Sequence, residues 1–270
     1  MKHKILFVLL IAAVFISTIS AHDLFLKLDN FFVRAGDKIS INILNGSFQS
    51  SEGAVSLERL NDVSLISPKG VTSFTKTAVL TKDDKTSVLQ ITPDEQGTHV
   101  VGLYTMKREI DLKANDFNEY LEEDGIPDVL AERKKSKTLD KNVRERYSKH
   151  VKTMFQVGDK LTDNYKTALG YPVEIVPRNN PYGLKIGDEF EFLCLKDGKP
   201  LVNQFVMTGY ENADGKLIAG ENVRTDKTGA GKVKLNGAGA WYVKFIQMQK
   251  IKVAKLDYES KWATLTFAVK

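Results

Sequence analysis

Residues 32–43 read Phe32-Val33-Arg34-Ala35-Gly36-Asp37-Lys38-Ile39-Ser40-Ile41-Asn42-Ile43. A short extended lead-in, a Gly-Asp turn and strict alternation of isoleucine with polar residues predict two β-strands. Residues 184–192 repeat this pattern around Gly187-Asp188, and short apolar runs at 63–66, 88–91 and 100–104 extend it. The sequence therefore predicts a mainly β protein with two antiparallel β-sandwiches, immunoglobulin-like or carboxypeptidase-regulatory-like in kind.

The middle of the chain departs from this pattern. Residues 115–123 and 127–135 have helical periodicity, and residues 142–157 predict an amphipathic helix. The predicted apolar face of that helix, with spacings of three and four, consists of Val143, Tyr147, His150, Val151, Met154 and Phe155. We therefore divide the chain into a signal segment (1–21), an N-terminal β-sandwich domain (22–113), a helical segment (114–170) and a C-terminal β-sandwich domain (171–270).

The N-terminal segment has the composition of a cleavable secretory signal. Two lysines precede an apolar run over residues 5–16, and small residues follow up to residue 21. The apolar run is shorter than the roughly 20 residues that a membrane-spanning helix needs. Cleavage after Ala21 would make His22 the first residue, and cleavage after Ser20 is the alternative. We therefore expect a periplasmic protein that does not span the membrane after processing.

Charge and cysteine content narrow the class of protein. The net charge is +5, and removal of Lys2 and Lys4 with the signal leaves +3, well mixed with acids. This mild balance argues against a nucleic-acid partner. Cys194 is the lone cysteine, so it cannot form an internal disulfide, and its apolar surroundings in the sequence predict a buried, inert thiol.

Histidine is the most informative residue type because it is scarce. Sequence motifs of the common hydrolase, metalloprotease, dithiol and nucleotide-binding sites are absent, so no catalytic residue is predicted. The chain after residue 21 contains three histidines, His22, His99 and His150. A processed His22 could chelate a metal ion through its α-amine and imidazole, an arrangement that suits Cu(II) or Ni(II). His99 and His150 lie in apolar surroundings, where a histidine is more often a hydrogen-bonded core residue than a ligand.

Aromatic residues offer a different interpretation, a platform on which sugars stack. Because most of them lie within alternating strands, core packing is the simpler explanation. The set consists of Tyr104, Tyr120, Tyr171, Tyr182, Tyr210, Trp241, Tyr242, Tyr258 and Trp262.

Six segments resemble an exported bacterial family of unknown function, of the DUF4198 type, whose members are sometimes described as NikM-like nickel/cobalt-transport accessory proteins. The resemblance covers nearly the whole chain after the signal. It is carried by residues 21–26 (AHDLFL), 97–103 (GTHVVGL), 117–125 (FNEYLEEDG), 146–152 (RYSKHVK), 169–177 (LGYPVEIVP) and 259–267 (ESKWATLTF).

The resemblance implies β-rich domains, a periplasmic location and a metal site formed by His22, His99 and His150. It also implies a departure, because the family commonly has histidine where this chain has Gln247. We therefore expect a nickel- or cobalt-binding accessory protein, with copper or zinc as other candidate ions. Its partners would be a metal-uptake transporter or outer-membrane receptor components. The alternatives are a metal-free carbohydrate- or protein-binding module and, more remotely, a copper enzyme of the histidine-brace kind.

Overall fold

The computed structural model describes residues 22–270, so the predicted signal segment lies outside the described residues. Two α-helices are present in this part of the chain, α1 (Ala114–Glu123) and α2 (Pro127–Lys135). The strands, in chain order, are β1 (Asp23–Leu28), β2 (Phe32–Val33), β3 (Ile39–Gly46), β4 (Leu60–Ser67), β5 (Gly70–Ser73), β6 (Leu80–Lys82), β7 (Ser87–Ile91), β8 (Gly97–Thr105), β9 (Arg108–Leu112), β10 (Val143–Val157), β11 (Val173–Pro177), β12 (Glu189–Lys196), β13 (Lys199–Pro200), β14 (Phe205–Glu211), β15 (Leu217–Ala219), β16 (Val223–Arg224), β17 (Ala230–Lys234), β18 (Gly239–Val253) and β19 (Leu256–Val269).

An eleven-stranded sheet forms the centre of the described structure. Its main path runs β15-β14-β18-β19-β10-β8-β4-β5, with β2 and β9 also pairing with β10 and β16 with β14. Most neighbours are antiparallel, but β10 and β19 run parallel. Two four-stranded sheets accompany it, one in the order β1-β3-β7-β6 and the other β11-β12-β13 with β17 beside β12. The prediction of a mainly β fold is confirmed, and the central sheet takes strands from both ends of the chain.

The two smaller sheets cover opposite faces of the central sheet. Successive side chains of a strand point to opposite faces. Val151 and Phe155 of β10 pack against the β1-β3-β7 strands, and we call their side face 1. Met154 packs against β11, β12 and β17, and we call its side face 2. The central sheet is thus the middle layer of three, shared by two sandwich-like packings.

Face 1 has a second cover, the helical pair. Phe117 and Leu121 of α1 pack with Val143, Ile246 and Trp262 of the central sheet. Both helices lie where helical periodicity predicts them, and Pro127 occupies the first turn of α2, where its missing N–H leaves no bond unmade. Neither helix between residues 22 and 270 is long and apolar enough to cross a bilayer.

The predicted helix over residues 142–157 is wrong, since this segment is strand β10. The apolar residues fit helical spacing because β10 lies at the centre of the sheet with both faces covered, and a strand buried on both sides lacks an apolar-polar alternation. Three of its five charged residues, Glu145, Lys149 and Lys152, are buried as well, with partners supplied by other elements.

The repeated Gly-Asp turns predicted from the sequence are confirmed and share one geometry. Gly36 and Gly187 adopt φ values of 87° and 100°, which favour glycine. The carboxylate of Asp37 accepts the backbone N–H of Arg34 at 3.1 Å, and that of Asp188 accepts the N–H of Lys185 at 2.9 Å. Each turn leads into a strand, β3 or β12, as the alternation indicates. The lead-in before Gly36 is β2, but residues 184–186 form no strand.

Candidate functional site

His99 lies on face 1 as a buried core residue. It pairs with Phe155 across β8 and β10, and the two rings stack with centroids 5.2 Å apart. Its Nδ1 lies 3.1 Å from the Gly97 carbonyl oxygen, so Nδ1 carries the hydrogen and donates it. Burial lowers the pKa of His99, which keeps the ring neutral.

His150 lies on face 2 and is equally buried. Its Nδ1 donates to the Trp262 carbonyl oxygen at 3.3 Å, and its ring stacks on Tyr104 at 5.2 Å. Burial lowers the pKa of His150 to about 4. Its Nε2 is buried and has no hydrogen-bond partner within residues 22–270. Gln247, where the resemblance leads us to expect histidine, belongs to the same face, and its Oε1 is likewise buried without a partner there.

The structure does not bring the three histidines together. Phe155, which pairs with His99, is five residues from His150 along β10, an odd separation that puts the two histidines on opposite faces. Five residues also span roughly 16 Å of strand. In the described part of the chain, no group of three His, Cys, Asp or Glu side chains is placed to hold a metal ion.

His22 differs from the other two histidines because it is accessible. It directly precedes β1, its side chain is 29% exposed, and its Nε2 lies 3.1 Å from a carboxylate oxygen of Glu52. A carboxylate only accepts hydrogen bonds, so Nε2 carries the hydrogen, and in a neutral ring Nδ1 keeps its lone pair. Nδ1 is the ring nitrogen nearer the backbone, and its lone pair is the one that could bind a metal ion.

A buried polar cluster on face 1 contains Asp23, the residue that follows His22. We define it as Asp23, Asp124, Lys149 and Lys244. The Lys244 ammonium donates to the Asp23 carboxylate and, at 2.9 Å, to Asp124 Oδ1. The Lys149 ammonium donates to the His22 carbonyl oxygen and, at 3.1 Å, to Asn45 Oδ1. Two cations and two carboxylates thus anchor the start of β1 to β10, β18 and the end of α1.

The position of the polar cluster follows from the two covers of face 1. Along β10, Val151 belongs to the core under the β1 sheet, Val143 belongs to the core under the helices, and Lys149 lies between them. Its ammonium also lies 5.6 Å from the ring centre of Trp262, a cation–π distance. The charged residues therefore occupy the boundary where neither apolar cover is complete.

Burial perturbs the protonation of this cluster. It raises the pKa of Asp124 to about 6 against the opposing effect of Lys244. It lowers the pKa of Lys149 to about 8. Burial alone would lower the pKa of Lys244, but Asp23 and Asp124 outweigh it and raise that pKa overall. Such shifts concentrate at functional sites, although structural ion pairs produce them too.

Glu145 extends the polar region toward the helices. One of its oxygens accepts hydrogen bonds from the Tyr120 hydroxyl, at 3.3 Å, and from the Ser260 hydroxyl, which itself accepts the Trp262 Nε1–H at 3.0 Å. Its other oxygen is buried without a partner within residues 22–270. Burial raises the pKa of Glu145 to about 7, so near neutral pH it holds a proton in part of the molecules.

A separate buried ion pair on face 2 has a structural role. The Glu174 carboxylate accepts a hydrogen bond from the Lys152 ammonium. It also accepts hydrogen bonds from the backbone N–H groups of Leu169 and Gly170, both at 3.0 Å. These contacts satisfy both carboxylate oxygens and fix the loop before β11. Cys194, also on this side, is fully buried as predicted, and burial raises the pKa of its thiol.

The aromatic residues considered as a sugar platform are packed into the structure. None of the nine is exposed, and Tyr120, Trp241 and Trp262 belong to the apolar cores. The core interpretation therefore accounts for them.

Sequence reasoning missed the polar cluster. A signal for it exists, since lysines at 149 and 244 interrupt apolar runs. That signal becomes informative only when residues 143–157 are assigned to a strand.

A family model described as a domain of unknown function (DUF4198) matches residues 19–249. The chain belongs to this family. Asp23, Asp124, Lys149 and Trp262 each come from a different segment of the resemblance described above, and they meet at the polar cluster.

Comparison with other proteins adds no functional information. No curated protein matches the chain significantly. Among solved structures, a tetra-tandem repeat in the extending region of a large adhesion protein is similar, with 8% identity and a TM-score of 0.23. The match covers 93% of this chain and 50% of that chain, so the protein spans about half the length of the structure it matches.

Proposed function

We propose that this protein is a periplasmic accessory protein that binds a transition-metal ion, nickel or cobalt, at its processed N-terminus and passes it to an uptake system. The observation that supports the proposal is the contact between His22 Nε2 and Glu52. Histidines that bind metals commonly donate their second ring N–H to a carboxylate, which fixes the tautomer and orients the ring. Glu52 would play this part, and Nδ1 would be the ligand.

The α-amine would supply the second donor. Cleavage after Ala21 would convert the backbone nitrogen of His22 from an amide into an amine, which together with Nδ1 forms a small chelate ring. Nitrogen donors of this kind suit Ni(II) and Cu(II). Lys149 and Lys244 would hold the residue in place through the His22 carbonyl group and the Asp23 carboxylate. Because the chain supplies few donors there, the ion would be released readily to a transporter or outer-membrane receptor component.

Calorimetric titration of the chain beginning at His22 with Ni(II), Co(II), Cu(II) and Zn(II) tests the proposal. The sharpest variant carries one additional alanine before His22, because it keeps the imidazole and removes only the terminal amine. We expect this variant and His22→Ala to lose the binding that the parent shows, and Glu52→Gln to bind about 10- to 100-fold more weakly than the parent. Glu119→Gln, an exposed acid on α1, is the matched control and should bind as the parent does.

Two outcomes would contradict the proposal at different levels. Unchanged affinity in the alanine-extended chain would refute the N-terminal site, and the metal would then have to bind elsewhere. Absence of binding for all four ions would refute the metal-binding function itself. Acidification should weaken binding, because imidazole and amine must both be deprotonated to bind the ion.

A further inference from the structure

Arg133, on the inner side of α2, is a buried cation with no ion-pair partner among residues 22–270. Its side chain is 2% exposed. Its Nε donates to Asn118 Oδ1 at 3.0 Å and its Nη2 to the Lys141 carbonyl oxygen at 2.9 Å, both neutral acceptors. The guanidinium also lies 4.9 Å from the ring centre of Phe117. Within residues 22–270, no carboxylate comes within ion-pair distance of it, and Nη1 has no acceptor.

This arrangement is unusual because a buried charge is costly unless it is paired. The neutral acceptors hold the guanidinium plane in place and leave one edge without a bond. Arginine presents two parallel N–H groups that match the oxygens of a carboxylate or a phosphate. The geometry therefore fits a residue that is positioned for an anion supplied from outside the chain.

A cavity of about 460 Å³ adjoins Arg133. Its floor is apolar and includes Val143, Leu256 and Tyr258, all buried. Lys141, Lys250 and Lys252 contribute to its lining, and one acid, Asp257, also lines it. The Asp257 carboxylate already accepts the Arg144 backbone N–H at 2.8 Å. The cavity thus combines an excess of positive charge with an apolar floor, in the size range of small-molecule sites.

We propose that this cavity binds a small organic anion. Its carboxylate or phosphate group would contact the Arg133 guanidinium, and its apolar body would pack on Val143, Leu256 and Tyr258. Lys252, exposed near the end of β18, would add attraction at the entrance, whereas the Lys250 ammonium is already paired with Glu132 at 2.5 Å. This site lies under α2 and the hairpin tip, and it shares no residue with the His22 site, so either proposal can fail without the other.

Calorimetric titration of the processed chain with phenyl phosphate, benzoate and benzyl alcohol tests this inference. The first two probes share an aromatic body and differ in the anionic group, and the third has no charge. We expect at least one anion to bind about tenfold or more tightly than the alcohol. Inorganic phosphate alone should bind more weakly than phenyl phosphate, because it leaves the apolar floor uncovered.

Two charge variants place the binding site. Arg133→Gln should weaken binding of the anion at least about tenfold. Because this variant also alters bonds to Asn118 and Lys141, circular dichroism must confirm its fold, and Lys252→Gln provides a second test at an exposed position. Lys252→Gln should weaken binding about threefold. Lys134→Gln, an exposed lysine of α2 outside the cavity lining, is the matched control and should have no effect.

The inference is overturned if neither anion binds more tightly than benzyl alcohol. It is also overturned if Lys252→Gln and Lys134→Gln weaken binding equally, since that result indicates attraction to general positive charge. Unchanged affinity in a folded Arg133→Gln variant would overturn it as well.

Discussion

The buried carboxyl group of Glu145 should make a contribution to stability that falls as the pH rises. Its pKa is raised from 4.5 to about 7 in the folded chain. Between these two values the folded state keeps the proton and the unfolded state has lost it. The contribution of Glu145 to the free energy of unfolding therefore decreases with pH across this window and is constant beyond it. At ~1.4 kcal/mol per pKa unit, the full effect is about 3 kcal/mol.

Glu145→Gln isolates this effect. Glutamine has nearly the same shape, and its carbonyl oxygen can still accept the hydroxyl groups of Tyr120 and Ser260. Its amide nitrogen would replace the carboxyl oxygen that has no partner in the described structure, which adds a cost of about 1–3 kcal/mol that does not vary with pH. The informative quantity is therefore how the stability difference between variant and parent changes with pH. The part of that difference that is constant with pH does not test the prediction.

Urea unfolding of parent and variant between pH 4 and pH 8.5 measures this difference. We expect the variant to gain about 3 kcal/mol relative to the parent across the range, with most of the change between pH 4.5 and 7. Glu119→Gln serves as the control and should give a flat difference. A flat difference for Glu145→Gln would show that the folded protein ionises this group as readily as the unfolded chain does, and would refute the reasoning.

Three further substitutions test the packing on face 2. Lys152→Met should destabilise the chain by about 3–5 kcal/mol in urea, because it leaves the buried Glu174 carboxylate without its cation, and adding Glu174→Gln should recover part of the loss. His150→Phe should lessen acid destabilisation between pH 6.5 and 4. In that window the histidine of the unfolded parent is protonated while the buried ring of the folded parent is not, so the parent should lose up to about 3 kcal/mol more stability than the variant. Gly102→Ala should lower the melting temperature and cost about 1–3 kcal/mol, because a Cβ atom there would lie 2.2 Å from Leu169 Cδ1; an unchanged melting temperature would contradict this.

Much of the fold could be predicted from local patterns. Alternation identifies β3, in which Ser40 and Asn42 lie on the side opposite the buried isoleucines, and proline at residue 127 with helical spacing identifies α2. Strand β10 could not be recognised in this way, because both of its faces are buried along most of its length and three of its charged side chains lie inside the protein. Apolar residues that point to the two opposite faces of the strand together give the spacing expected of a helix. The sequence alone therefore does not distinguish one apolar face of a helix from two buried faces of a strand.

The arrangement of the histidines depends on information that no local pattern contains. Whether His99 and His150 meet is decided by which residue of β8 pairs with which residue of β10, since a shift of one residue would move a side chain to the opposite face. The observed register pairs His99 with Phe155 and so separates it from His150 by the thickness of the sheet. The accessible position of His22 does not depend on the register of β8 and β10. It follows from the contacts of β1 with β10 and β18.

The contacts between the start of β1 and the central sheet suit a role of the polar cluster in positioning His22, in addition to any effect on stability. Replacing buried ion pairs by well-packed apolar groups is often neutral or stabilising, so stability alone does not explain four charged groups at the boundary between two apolar cores. Lys149 binds the His22 carbonyl group, and Lys244 binds the Asp23 carboxylate. Together these two bonds fix the backbone on both sides of the peptide bond between His22 and Asp23. A binding group acts best when the residues around it hold its geometry. In our proposal the polar cluster supplies that support, and the metal-binding role rests on His22 and its surroundings, without a contribution from the two buried histidines.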